Sequence, residues 1–527
     1  MTSITRLPPE LISQILSFVN PKDLASVNLT CQYLYHTVCD NSVLFHTLYL
    51  RHLDDPGDTE LDWIKEVKDM VKLEAVCAST DAEAIRKSYL DLVHHTTTRL
   101  LARCTSHEKR ARSSVSYRPS RNTHFLRRCF ANPIAVEAIL CQSSLFERKV
   151  PESQNETEPV SPPASELSGS VTSSKSFSPE AKQISAKLHC LHGAMIRPCS
   201  RSYRNKICAA ALERVYDMRR FTRRNRWGPF LDEGPGPIGI RGNESGQLGP
   251  PEDHVDWEMM EAIMVAIWIN MKFRKLDREP FVKEIWGVPF SGCWPNSYIP
   301  AAPGKRARDH DLRDPYGVAG VWLRFVCFLD YHDFFAYNFP HHSHPGMPRS
   351  IPDFNEFAQA GRLIVMKLHV TKITEPGPED GQALPVVHFE GIARAIDDTT
   401  LAAHLEMKGS VRLTRQGEVH WTSVSSYHGE ARWRSESIQL GGVQANKVVG
   451  TWFDTDYDAS GPCGPSAFWK LSDRVPNTDD EHFDADGFFA LRDSCINLAS
   501  GPPDGYDEDP SSDPDSQSES ESNSDPE

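Results

Sequence analysis

Three clusters in this 527-residue sequence carry side chains of the types that ligate metals. Asp454-x-Asp456-x-Asp458 repeats carboxylates at the alternate positions that open an EF-hand calcium loop. Position six of such a loop would be Ala459 instead of Gly, and position twelve Pro465 instead of Glu, so both the turn and the closing ligand are wrong. His341-His342-x-His344 stands among Pro340, Pro345 and Pro348 with no neighbouring cluster of Cys or carboxylates, and His189-Cys190-x-His192 with Cys199 fits no zinc spacing. No metal site and no cofactor is expected. Covalent chemistry fares no better: a G-x-S-x-G elbow, a phosphate loop and H-E-x-x-H are all missing. Gly234-x-Gly236-x-x-Gly239 keeps a dinucleotide spacing, but Pro235 and Pro237 remove amides that a phosphate needs, and no strand precedes it. The chain is therefore not expected to be an enzyme.

Recognition is the chemistry that remains. Trp452, Phe453, Tyr457, Phe468 and Trp469 alternate with Asp454, Asp456 and Asp458 around a turn rich in Gly and Pro. Aromatics beside fixed acids suit capture of a peptide segment, with Trp452, Asp454, Asp456, Tyr457, Asp458 and Trp469 as the candidate contacts. The competing reading is that the aromatics plug a core and the acids face water, with Trp452 best suited to the interior and Tyr457 to contact. Residues 99 to 128 hold nine Lys/Arg against one acid, and 197 to 226 hold ten against two. Such runs can bind nucleic acid, but no helix-turn-helix, zinc finger or RNA-recognition signature accompanies them, so solvated helix faces are the preferred account.

The elements that would position these residues divide into two kinds. The first 150 residues read as helical throughout. Pro9 with Leu11, Ile12, Ile15 and Leu16 makes an amphipathic stripe, and Asn20-Pro21-Lys22-Asp23 reads as a cap opening a helix at Leu24. Further helices are expected over 30–39, 42–50, 62–76 and 82–101. Ten of the eleven tryptophans lie at or beyond Trp227. There a buried helix over 256–273, opened by Asp256, precedes strand-like runs at 318–328, 362–373, 385–395, 409–414, 418–427, 431–440 and 447–454. Seven strands in so short a span predict a closed or nearly closed antiparallel barrel. The fold class is α+β and multidomain: an N-terminal helical module, a barrel-like domain with flanking helices, and a disordered acidic tail.

Composition sets the boundaries. Residues 151 to 180 contain nine Ser, two Thr and five Pro, which marks 150–184 as a linker. The stretch 228–253, dense in Gly and Pro, reads as a long loop. Ten of the chain's fifteen excess negative charges sit in residues 501–527, so the acidity belongs mainly to a tail over 476–527. The expected order is 1–50, a helical extension 51–149, the linker, a binding domain 185–475, and the tail. Thirteen cysteines with no C-x-x-C pair suit a reducing compartment. No secretory leader opens MTSITRLPPELISQ, and the longest apolar stretch, 259–271, is too short to span a bilayer. A cytoplasmic or nuclear protein without a membrane partner is expected.

The first fifty residues, LPPELISQILSFVNPKDLASVNLTCQYLYHTVCDNSVLFHTLYL, resemble an F-box. The resemblance implies that Leu7, Pro8, Leu11, Ile12, Ile15, Leu16, Pro21, Asp23 and Leu24 dock on a Skp adaptor, with a cullin beyond it. Phe45 stands where a Trp is common in that family. A second stretch, GGVQANKVVGTWFDTDYDASGPCGPSAFWK over 441–470, is similar to the closing strand and loop of the cyclin-D-binding domain of F-box substrate receptors, an arrangement widespread among fungal F-box proteins. Together the resemblances imply the substrate-recognition subunit of a ubiquitin ligase, its protein substrate unspecified. A small-molecule-binding barrel or enzyme fused to an F-box is the alternative, followed by a nucleic-acid-associated scaffold.

Overall fold

The computed structural model describes residues 7–57, 60–105, 107–111, 114–118, 120–147, 177–193, 201–232, 253–298, 309–339, 361–396, 405–458 and 460–472. The expectations for 150–176, for His341 to His344, for Cys199, for most of the 228–253 loop and for the acidic tail lie outside those residues.

Local sequence sets the helix starts. Asn20 Oδ1 accepts from the Lys22 amide ahead of Leu24–Asn28, Asn41 Oδ1 from Leu44 ahead of Ser42–His52, and Asp62 Oδ1 from Lys65 ahead of Trp63–Ala78. Pro9 occupies the first turn of Pro9–Leu16, where a missing amide costs nothing. The run expected as one helix over 82–101 is two, Ala82–Ser88 and Leu90–Ala102. A short hairpin, β1 His107–Ala111 with β2 Ser114–Arg118, interrupts the region expected to be wholly helical.

Eight strands then form a closed antiparallel barrel in simple sequential order: β3 Gly320–Cys327, β4 Gly361–Thr374, β5 Val386–Ala395, β6 Leu405–Leu413, β7 Val419–Tyr427, β8 Glu430–Gln439, β9 Lys447–Asp454 and β10 Cys463–Ser472. The last of these lies beyond the seven expected, and its pairing with β3 closes the ring. Pro465 argues against a strand in sequence, yet its partner is Thr451 on one side only, because pairing with β3 begins at Ser466↔Val326. Alternation gives the barrel two faces. Trp322, Phe389, Trp421 and Phe468 point inward and pack ring on ring at 5.3–5.6 Å, filling one end. Leu323, Phe325, Val449, Phe453 and Trp469 point outward into the core shared with the helices.

Helix Trp257–Phe273 carries that outer packing. It is apolar around most of its circumference because it is covered on both sides, by helices Pro179–His192 and Arg201–Tyr216 and by the barrel wall. Glu261 in its middle is fully buried, accepting from Ser143 Oγ and lying 2.6 Å from His189 Nδ1. Those contacts redraw the expected boundaries. Residues 179–184, expected in the linker, are the first half of helix Pro179–His192, which Ser178 caps by accepting from Ala181. The same helix packs on Leu90–Ala102 and Pro133–Leu140 of the expected extension. One continuous apolar core runs from Ile12 to Trp469, so 51–149 and 185–475 are not separate cores.

Candidate functional site

The N-terminal helix presents two apolar faces. At about 100° per residue the stripe Leu11, Ile12, Ile15, Leu16 is too wide for one contact. Ile12 and Leu16 turn into the module's own core, while Leu11 and Ile15 remain 47% and 45% exposed. Leu7, Leu11, Gln14, Ile15 and Phe18 line an open groove on that outer side. Its edges are fixed from behind. Tyr33 Oη donates to the Leu7 carbonyl at 3.0 Å, and Arg51 donates to the Ser17 carbonyl at 2.9 Å while its guanidinium lies 4.5 Å from the centre of the Phe18 ring. Asn41 Nδ2 donates to Ser13 Oγ at 2.9 Å and ties the helix to Ser42–His52.

Of the residues expected at an adaptor surface, Leu11, Ile15, Pro8 and Asp23 are exposed and Leu7 is half-buried. Ile12, Leu16, Pro21, Leu24 and Phe45 are buried inside the module instead. They shape the surface without forming it, because a helical unit this small needs its largest apolar side chains to hold itself together. Phe18, 70% exposed, and Leu29, 88% exposed, were not singled out from the sequence. Phe18 follows the amphipathic stripe directly, and the period-3.6 continuation from Leu11 and Ile15 could have found it.

The family comparison bears on this module. Residues 4–51 match the F-box-like family model. No curated protein and no solved structure matches the chain. The F-box-like segment thus coincides with the helices that build the groove, and an F-box-like domain implies docking on a Skp adaptor. Among the described residues no helix is long and apolar enough to cross a membrane.

The β9–β10 loop gathers only part of its expected set. Asp454 Oδ1 accepts from the Asp456 amide, and Asp458 Oδ1 accepts from both the amide and the hydroxyl of Ser460, so two of the three acids are spent on turns. The Ser460 bonds hold the Asp458 carboxyl below its ordinary range. Asp456 and Asp458 are exposed and Asp454 half-buried. Tyr457, with a positive φ of 58°, is half-buried and packs edge-on against Trp227 at 5.8 Å, beside Phe453 and the Arg434 guanidinium. Trp452 points into the barrel and donates from Nε1 to the Cys327 carbonyl at 2.8 Å. Trp469 faces the other way, 1% exposed, and is stacked edge-on against Trp286. Alternation along β10 separates it from the loop it was grouped with.

Among the described residues no three His, Cys, Asp or Glu side chains stand together as a metal site. His189 is engaged with Glu261. Among the described residues, several cations of the basic runs are engaged within the protein. Arg99 pairs with Glu66 and Asp69, Arg103 with Glu66, Arg128 with Glu74, Arg214 with Glu258, Arg219 with Asp217 and Arg226 with Asp253.

Proposed function

We propose that this chain is the substrate-recognition subunit of a Skp–cullin–F-box ubiquitin ligase, docking through its N-terminal module and capturing a protein substrate through the barrel region. The observation that carries the reading is the exposed apolar groove of Leu7, Leu11, Ile15 and Phe18 inside the segment that matches the F-box-like family. Apolar side chains this exposed, braced from behind by Tyr33 and Arg51, are favourable only against a partner. The barrel's part in substrate capture rests on the likeness of 441–470 to the cyclin-D-binding domain and on the exposed acids Asp456 and Asp458 beside the half-buried Tyr457. A receptor of this kind performs no bond chemistry; it raises the effective concentration of a substrate lysine near a charged conjugating enzyme.

Leu11→Asp combined with Ile15→Asp tests the docking half. Both sites are already solvated, so the fold is retained, whereas a charge carried into a desolvated contact is costly. Loss of Skp from the purified double mutant is expected; undiminished Skp would refute the assignment. For the capture half, Asp456→Asn with Asp458→Asn should reduce recovery of ubiquitinated proteins under proteasome inhibition while Skp recovery stays constant.

A further inference from the structure

Arg324 sits inside the barrel with no counter-charge among the described residues. It lies two residues along β3 from the inward-facing Trp322, and its side chain is buried. Its Nε donates to Ser466 Oγ at 2.9 Å and its Nη2 to Ser435 Oγ at 2.5 Å. No carboxylate among the described residues pairs with it, and burial, with nothing opposing it, pulls its pKa down to about 10. Two other arginines of the barrel are neutralised: Arg412 lies between Asp253 and Asp380, and Arg434 pairs with Glu436. A guanidinium enclosed with neutral hydroxyls alone is an expensive arrangement, and it becomes favourable once an anion joins it.

The surroundings supply the rest of a receptor for one. Ser435 and Ser466 accept from Arg324, so each keeps its own proton to donate, and no described hydrogen bond uses either. Ser437, two residues from Ser435 on the same face of β8, is 1% exposed and its hydroxyl has no hydrogen-bond partner among the described residues. Ser437 and Ser466 both stand opposite Gly450 in register, which sets the hydroxyls of β8 and β10 on the inner face on either side of β9. Trp322 and Phe468 floor this region, and Trp452, in register with Ser435 and edge-on to Trp433, walls it. A fork-shaped cation, three free O–H donors and aromatic walls match a small carboxylate with an apolar body.

We propose that the barrel interior is a binding site for a small organic carboxylate, with Arg324 as its charge partner and Ser435, Ser437 and Ser466 as hydrogen-bond donors. The site stands independently of adaptor docking. Binding to the native state alone raises the unfolding temperature in a saturable way. The experiment is thermal unfolding of the full chain in sodium formate, acetate, benzoate or inorganic phosphate, against sodium chloride at matched ionic strength, for the wild type, Arg324→Met and Ser437→Ala. For the wild type, a saturable rise of several degrees is expected with at least one carboxylate and not with chloride. Arg324→Met should unfold at a higher temperature than the wild type in chloride, because an unpaired charge is gone, and should show no carboxylate response. Ser437→Ala should keep the wild-type unfolding temperature in chloride while weakening the carboxylate response several-fold, which preserves the test if Arg324→Met does not fold. A wild type indifferent to all carboxylates, a stronger response to phosphate, or equal responses in wild type and Ser437→Ala would each overturn the assignment.

Discussion

The amide of Asp54 donates to Asn122 Oδ1 at 2.9 Å, and the Asp54 carboxylate accepts from the Arg121 amide at 2.9 Å. These two bonds join Asp54, just past the F-box-like segment, to the start of helix Arg121–Cys129, nearly seventy residues later. Thr105 and Ser120 donate to the same carboxylate, and Arg121 reaches back to the Leu50 carbonyl. The module is therefore held in one orientation against the helical layer, which in turn packs on the barrel wall. For the ligase subunit proposed above, a fixed angle between adaptor and substrate site is what would make proximity productive.

Replacing Asp54 should release that joint. Asp54→Ala leaves two amides and a hydroxyl without their acceptor, and buried groups left unpaired cost on the order of 2–4 kcal/mol together. Urea unfolding is expected to show that loss, and ubiquitination in a reconstituted reaction should fall further than Skp affinity does. A fall of equal size in both would place the defect in docking alone.

The two faces of the first helix predict opposite outcomes for neighbouring substitutions. Ile12→Asp forces a charge into the module's core and should destabilise the segment by about 3–5 kcal/mol, visible as lost helical circular dichroism. Phe18→Asp, on the exposed side, should leave the spectrum unchanged and weaken Skp binding at least about tenfold in calorimetry.

Much of this architecture was legible in the residues. The caps Asn20 and Asp256 and the alternating runs gave helix starts and seven strands, because both depend on neighbours in sequence. Strand β10 was hidden because Gly464 and Pro465 punctuate it, and only the ring closure with β3 explains why a proline is tolerated there. Arg324 gave no signal at all: an arginine in VWLRFVC reads as the polar side of a strand, and its isolation depends on what β8 and β10 bring opposite. The exposed side of the first helix was half legible, since the stripe reveals apolar character but not which part of it the module keeps for itself.

The shared core predicts that cutting the chain does not divide it. A protease site inserted between residues 155 and 170 should be cleaved with both pieces eluting as one species in size-exclusion chromatography. Helix Pro179–His192, on the second piece, is packed against Leu90–Ala102 and Pro133–Leu140 on the first, and Glu261 reaches back to Ser143 across the cut. Glu261→Ala removes the acceptor of a buried hydroxyl and the partner of His189, and in the cleaved protein should shift elution toward separate pieces. Separation of the cleaved wild type would show that the two sides do not hold together unaided.

Acid should weaken the protein through His94, on the face of helix Leu90–Ala102 that meets Pro179–His192. Burial, reinforced by Lys187 and His95 and opposed by Asp91, lowers its pKa from 6.5 to about 4. Among the described residues neither ring nitrogen has a hydrogen-bond partner, so only the Asp91 carboxylate favours the proton. The sign follows from linkage: between the two values the unfolded chain binds a proton that the native state refuses, so stability is full above pH 6.5 and declines as pH falls toward 4. At pH 5 the loss amounts to at most about 2 kcal/mol relative to neutral pH. His94→Gln lacks the titration, so its urea midpoint should fall less than that of the wild type between pH 7.5 and 5. Parallel midpoints for the two proteins across that range would mean that His94 is protonated as readily in the fold as outside it.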